Sequence, residues 1–192
     1  MARWEPDTSQ RLVGAALDLF TEQGYDATTV SQIAERAGGL TKMTFFRHFA
    51  DKREVLFAAG QQAHGRLLAD AIAAAPAAAT PLQAVAAGLD AVTATFTEDR
   101  REFAARLVAV IAANDELRER ATFKRAGLAQ AAAEVLRKRG VPEPTAGLAA
   151  ELGVGAFYRA FERWAGSADQ ATLADITRRE LERLRAAAAA LG

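Results

Sequence analysis

The sequence contains no cysteine, which excludes disulfides, thiolate metal sites and cysteine nucleophiles and suits a reducing compartment. It has only two histidines, His48 and His64. No His-Glu-x-x-His, phosphate-loop or nucleophile-elbow spacing occurs, so neither catalysis nor a metal or cofactor site has residues to carry it. Neither sign of charge is in excess: acidic and basic residues number 24 each, so any anion-binding surface has to be local. Long apolar runs are missing too. The stretch AAAAAL at 186–191 is far short of the ~20 residues that span a membrane. The opening MARWEPDTSQ lacks the apolar core of a secretory signal, and a cytoplasmic protein with no membrane partner is expected. Sustained period-two alternation is absent as well, so no strands are expected.

What is present has the helical period. At 192 residues and 51% hydrophobic, the chain can bury a sizeable core. Leu12, Ala16 and Phe20 mark one face of a first helix over about 7–23, and Gly24 stands where a C-terminal cap belongs. Thr29-x-x-Gln32 has capping-box spacing and opens a second helix ending at Gly38. Thr41 opens a third over 41–48. Asp51-x-x-Glu54 predicts the start of a fourth, reaching about Ala75. Pro81 behind Thr80 begins a fifth, and Thr97 caps a sixth. Asn114 caps a seventh, Thr145 opens an eighth to about Ala165, and a ninth covers about 170–190. The expected fold is all-α with about nine helices: short helices over 1–50 and long ones over 51–192.

The stretch RAGGLTKMTFFRHFADKREV (36–55) has the plan of a helix-turn-helix reader of DNA. Leu40, Phe45 and Phe49 can dock the third helix, leaving Thr41, Lys42, Thr44, Arg47 and His48 as donors on the opposite face. Between Gly39 and Arg53, basic residues exceed acidic ones by three, enough for a local phosphate-binding patch. Read from these residues alone, a solvated helical hairpin, or a helical module that binds protein rather than specific DNA, remains open.

Residues 11–57 resemble the DNA-binding domain of the TetR family of bacterial transcriptional regulators. The resemblance rests on Leu19-Phe20 before Gly24-Tyr25, then Thr28-Thr29-Val30, Ile33-Ala34, Ala37-Gly38, Thr44 to Phe49, and Lys52. It implies a homodimer that binds a palindromic double-stranded DNA operator, represses transcription, and lets go when a small molecule fills the C-terminal part. Carried onto matching positions, it implies phosphate contacts from Thr29, His48 and Lys52. Thr41, Lys42, Met43 and Thr44 would face the major groove, Met43 toward a thymine methyl, and Arg47 would contact a base or phosphate. Phe46 holds a place where the family often has Tyr, and Arg3 could reach the minor groove. Gly39 is one residue more than the family's turn usually has, and a bulged turn that leaves Phe45 and Phe49 on the core is expected.

For the remainder, the aromatics read first as core and second as lining of an effector cavity. The effector set is Phe96, Phe103, Phe123, Phe157, Tyr158 and Phe161, with His64, Arg106 and Asn114 as polar groups, and it suits a largely hydrophobic molecule. Gly153, Trp164, Leu173, Ile176 and Leu184 on the last two helices are the expected dimer interface.

Overall fold

The computed structural model describes residues 8–167 and 171–191, apart from the side chains of Ala58, Ala59 and Gln61; Arg3 lies outside this range. The described residues form nine α-helices and no strand. They are α1 Thr8–Gln23, α2 Val30–Arg36, α3 Lys42–His48, α4 Ala58–Ala74, α5 Pro81–Thr93, α6 Arg101–Ala112, α7 Asp115–Lys138, α8 Glu143–Gly166 and α9 Leu173–Ala189. None of the described helices is long and apolar enough to cross a membrane.

Local chemistry explains most boundaries. Thr29 and Gln32 close a reciprocal capping box on α2, and Thr80 and Gln83 do the same on α5. Asp51 accepts the Glu54 backbone N–H at 3.0 Å, but the Glu54 carboxylate turns away to the Arg120 guanidinium. Only half a box forms there. The chain makes a 3-10 turn over Arg53–Leu56, and α4 begins at Ala58 rather than at Asp51. Thr97 likewise precedes a 3-10 turn, Glu98–Arg100, so α6 starts later than the sequence predicts. Helix α8 starts earlier, with Pro142 at its N-cap. Helix α9 starts at Leu173 because the Thr172 hydroxyl accepts the Asp175 N–H at 3.2 Å.

The chain divides into two compact units, and the division is not the expected single cut at Asp51. One unit comprises residues 1–62 with 106–121, and the other 63–105 with 122–192. In the first, Leu12, Leu17, Phe20, Ile33, Phe45 and Val55 bury together with Val110 and Leu117. Three polar bridges join the same pieces: Arg106 donates to Asp18 at 2.6 Å, Tyr25 donates its hydroxyl proton to Glu116 at 3.2 Å, and Arg120 pairs with the buried Glu54.

The second unit is tightened by small residues at helix crossings. A Cβ on Gly153 would stand 2.2 Å from Val85 Cγ1, and one on Gly88 2.7 Å from Leu68 Cδ1, so α5 lies close to both α8 and α4. The Arg139 guanidinium satisfies the carbonyls of Ala73, Ala75 and Pro76 at 2.8–2.9 Å beyond the last turn of α4.

Candidate nucleic-acid interface

Helix α3 is only seven residues long and would not persist alone. Packing and capping hold it. Phe45 is fully buried and Phe49 nearly so, and their rings lie 5.3 Å apart. At its start the Thr41 hydroxyl accepts the Thr44 N–H at 3.2 Å. The turn before it takes Gly38 at φ +107° and Gly39 at φ +71°, the left-handed region where glycine costs least. An ordinary Schellman closure would bond the second residue past the cap to the Ala34 carbonyl. Here Leu40 makes that bond, at 2.9 Å, and Gly39 bonds the Glu35 carbonyl at 2.8 Å. Gly38 keeps the usual inner bond to the same Glu35 carbonyl at 3.1 Å, so the outer bond alone is displaced by one residue, and Gly39 is the residue inserted between the two. The second glycine thus lengthens the turn while α3 keeps Phe45 and Phe49 on the core.

The opposite face of α3 is open. Thr41, Lys42, Arg47 and His48 are exposed, Phe46 is 46% exposed and Met43 83%. Thr44 is half-buried, with its hydroxyl 3.0 Å from that of Thr41. Lys42 and Arg47 have no ion pair or hydrogen bond among the described residues, although Lys42 Nζ hangs 5.8 Å from the Phe46 ring centre. Thr29 is exposed on α2, but its hydroxyl already donates to Gln32 Oε1 at 2.9 Å. Arg53 is paired with Asp51 and Arg36 with Glu22. Burial pushes the Asp51 carboxyl up, but Arg53 and the backbone N–H groups outweigh it and leave it below the ordinary carboxylate range.

Lys52 requires a correction. Its ammonium donates to the carbonyls of Tyr25 and Thr28 at 2.7 and 2.9 Å and lies 3.9 Å from the Tyr25 ring centre. These partners account for its donors, so Lys52 fastens the α1–α2 turn and is not presented to phosphate. Burial lowers its pKa, against an upward pull from Asp26 and Glu116. Burial also raises the Tyr25 hydroxyl far above its usual range, with the Glu116 carboxylate adding to the effect. Arg11, in the first turn of α1, was not singled out from the sequence. Its guanidinium occupies the space a Gly38 side chain would need, a proximity that helical periodicity does not encode.

The expected effector residues do not come together as one set. Arg106 and Asn114 belong to the first unit, where they border an open groove of about 480 Å³ with Phe20, Tyr25, Val110 and Ala113. Arg106 is held by Asp18, and Asn114 Oδ1 accepts the Leu117 N–H as a helix cap, which corrects their assignment to an effector cavity. In the second unit Phe96 meets Phe157, Phe161 and Trp164 at ring separations of 5.6–6.2 Å, so these rings fill one another's space. His64 packs 5.0 Å from Phe96, with its Nε2 3.2 Å from the Thr95 hydroxyl. Tyr158 lies under Arg125, while Phe103 and Phe123 are 38% and 64% exposed and line no interior.

The expected dimer residues are corrected too. Trp164 is wholly buried within its own chain, Leu173 and Ile176 nearly so, and Gly153 faces Val85 of the same chain. None of these four has surface to offer a second copy; Leu184 is half-buried.

Residues 12–59 match the family described as bacterial regulatory proteins, tetR family. The HTH-type transcriptional regulator TcmR of Streptomyces glaucescens is 45% identical over 85 residues, 44% of this chain and 37% of that protein. BetI of Rhizobium meliloti (strain 1021), also an HTH-type transcriptional regulator, is 40% identical over 83 residues, 43% of this chain and 40% of its own length. The chain thus spans about two-fifths of the length of these two relatives. The fold extends further. FadR of Bacillus halodurans superposes with a TM-score of 0.56 at 18% identity, over 95% of this chain and 96% of its own. FadR of Thermus thermophilus gives 0.56 at 22% identity, over 92% and 93%. The capped, aromatic-anchored α3 thus lies inside a segment, residues 12–59, that is similar to the DNA-binding part of the tetR family of bacterial regulatory proteins.

Proposed function

We propose that the protein is a homodimeric repressor that reads a palindromic operator with α3 and releases it when a largely hydrophobic small molecule binds. The observation that carries this reading is the outward face of α3. Lys42 and Arg47 stand there without ionic partners among the described residues, beside an almost fully exposed Met43, on a helix whose other face is fixed by Phe45 and Phe49. Unspent cations supply affinity for phosphate, and an exposed thioether gives apolar contact to a thymine methyl. In this reading residues 1–50 carry the reader and 51–192 the effector and dimer functions. The T. thermophilus FadR structure holds lauroyl-CoA and that of Bacillus subtilis FadR stearoyl-CoA, which supports an effector with a long apolar portion.

The experiment is a titration of labelled DNA from the region upstream of the protein's own gene, at two salt concentrations and with competitor duplex. A discrete, competitor-resistant complex that weakens with salt is expected, with a mass corresponding to two chains per site. Lys42→Ala and Arg47→Ala should each weaken it without altering the folded state, as read by circular dichroism. Unchanged binding by both variants would mean that another surface meets the DNA.

A further inference from the structure

We infer that Arg11 is a DNA phosphate-binding residue, held over the α2–α3 turn by the missing side chain of Gly38. The inference rests on the DNA-binding reading of α3 and adds a contact outside that helix. Arg11 lies in the first turn of α1, is exposed, and has no hydrogen bond or ion pair among the described residues. Neither helix electrostatics nor pairing explains it. A cation at a helix N-terminus is at the unfavourable end of the macrodipole, and the first turn of α1 carries no acidic residue.

Its position is nevertheless defined. A Cβ built on Gly38 would lie 1.9 Å from Arg11 Nη2 and 3.1 Å from Cζ, so the guanidinium lies directly against the backbone of the turn. Gly38 is three residues before Thr41, the N-cap of α3, which limits the separation along the chain to about 10 Å. A guanidinium here stands beside the entry of the reading helix with its N–H donors unspent. Phosphate flanking the groove that receives α3 would meet those donors in the forked geometry that arginine matches best. Lys52, which the family resemblance implies as a phosphate contact, and its neighbour Arg53 are committed to carbonyls and to Asp51. Among the described residues, Arg11, Lys42 and Arg47 are instead cations near α3 with no ion pair or hydrogen bond.

The test uses the full chain and a short duplex of arbitrary sequence, alongside the upstream DNA, with binding followed by fluorescence anisotropy over a range of salt. One phosphate contact contributes about 0.9 to the slope of log Kobs against log salt. Arg11→Met, which keeps a covering side chain over the turn, should flatten that slope by about this amount on both duplexes and lower affinity on both by a similar factor. Arg11→Lys should retain most of the slope. Thermal unfolding of the free protein should be little changed in Arg11→Met. A slope equal to wild type in Arg11→Met, with wild-type DNA binding intact, would overturn the assignment. A lowered melting temperature with an unaltered slope would do the same, by showing that Arg11 only covers the turn. If wild type itself bound neither duplex in a salt-dependent way, the fault would lie with the DNA-binding reading.

Discussion

Replacing Lys52 by Met separates two roles for one residue: fastening the α1–α2 turn or binding DNA phosphate. Met preserves much of the stem's packing on Tyr25 but removes the ammonium and both of its bonds to the Tyr25 and Thr28 carbonyls. Hydrogen bonds to a charged group contribute about 1.5–3 kcal/mol each when well shielded, and a cation–π contact about 0.5–2 kcal/mol. Lys52 is half-exposed, so water replaces part of this, and a net loss of about 2 kcal/mol is expected. For a chain of this length that corresponds to a fall in Tm of about 4–8 °C. Urea unfolding followed by circular dichroism should show a lower midpoint with an unchanged m-value, and the salt slope for DNA should stay at its wild-type value. A variant as stable as wild type but with a slope flattened by about 0.9 would refute the turn-fastening role and restore Lys52 as a phosphate ligand.

Two further perturbations bear on the second unit. Gly153→Ala would push a methyl to 2.2 Å from Val85 Cγ1, a stiff β-branched neighbour, and should destabilise the protein by about 1–3 kcal/mol in urea titrations; a neutral result would show that α5 and α8 can separate freely. His64 has its pKa held below the ordinary 6.5 by burial, with Arg100 acting in the same direction. The unfolded chain then takes up the proton more readily, so the stability owed to neutral His64 is complete above about pH 6.5 and is lost as pH falls through the lower folded value. His64→Gln should flatten the decline in stability between about pH 7 and pH 5, and an identical pH profile in the variant would refute this assignment.

Local rules made the helices legible, and long-range geometry was hidden from them. Thr29, Thr41 and Thr80 announce their helices because each cap is settled within three residues of chain. Phe45 and Phe49 read as anchors for the same reason, one helical turn apart on a short element. The half-made box at Asp51 failed because Glu54 found Arg120, 66 positions away. Lys52 was misplaced and Arg11 overlooked on similar grounds: what a cation touches depends on which turn folds beneath it, and neither Tyr25 nor Gly38 is near its cation in sequence. Helix periodicity marks Leu173 and Ile176 as part of one apolar stripe, but it cannot tell a face covered by its own chain from one awaiting a second copy.

The first unit draws on two separate lengths of chain, with practical consequences for dissection and for exchange between relatives. A fragment cut at residue 62 would keep every side chain of α3, yet it would lose Val110 and Leu117 from its core and leave the Glu54 carboxylate without Arg120. Each of those apolar losses costs about 1.5–3 kcal/mol, a large share of what a domain of such size has to spare. Swapping readers between relatives at that boundary would graft a motif onto foreign α6 and α7 surfaces. Chimaeras that carry residues 106–121 along with the reader would keep its floor intact, and inheritance is expected to have treated the two segments as one piece.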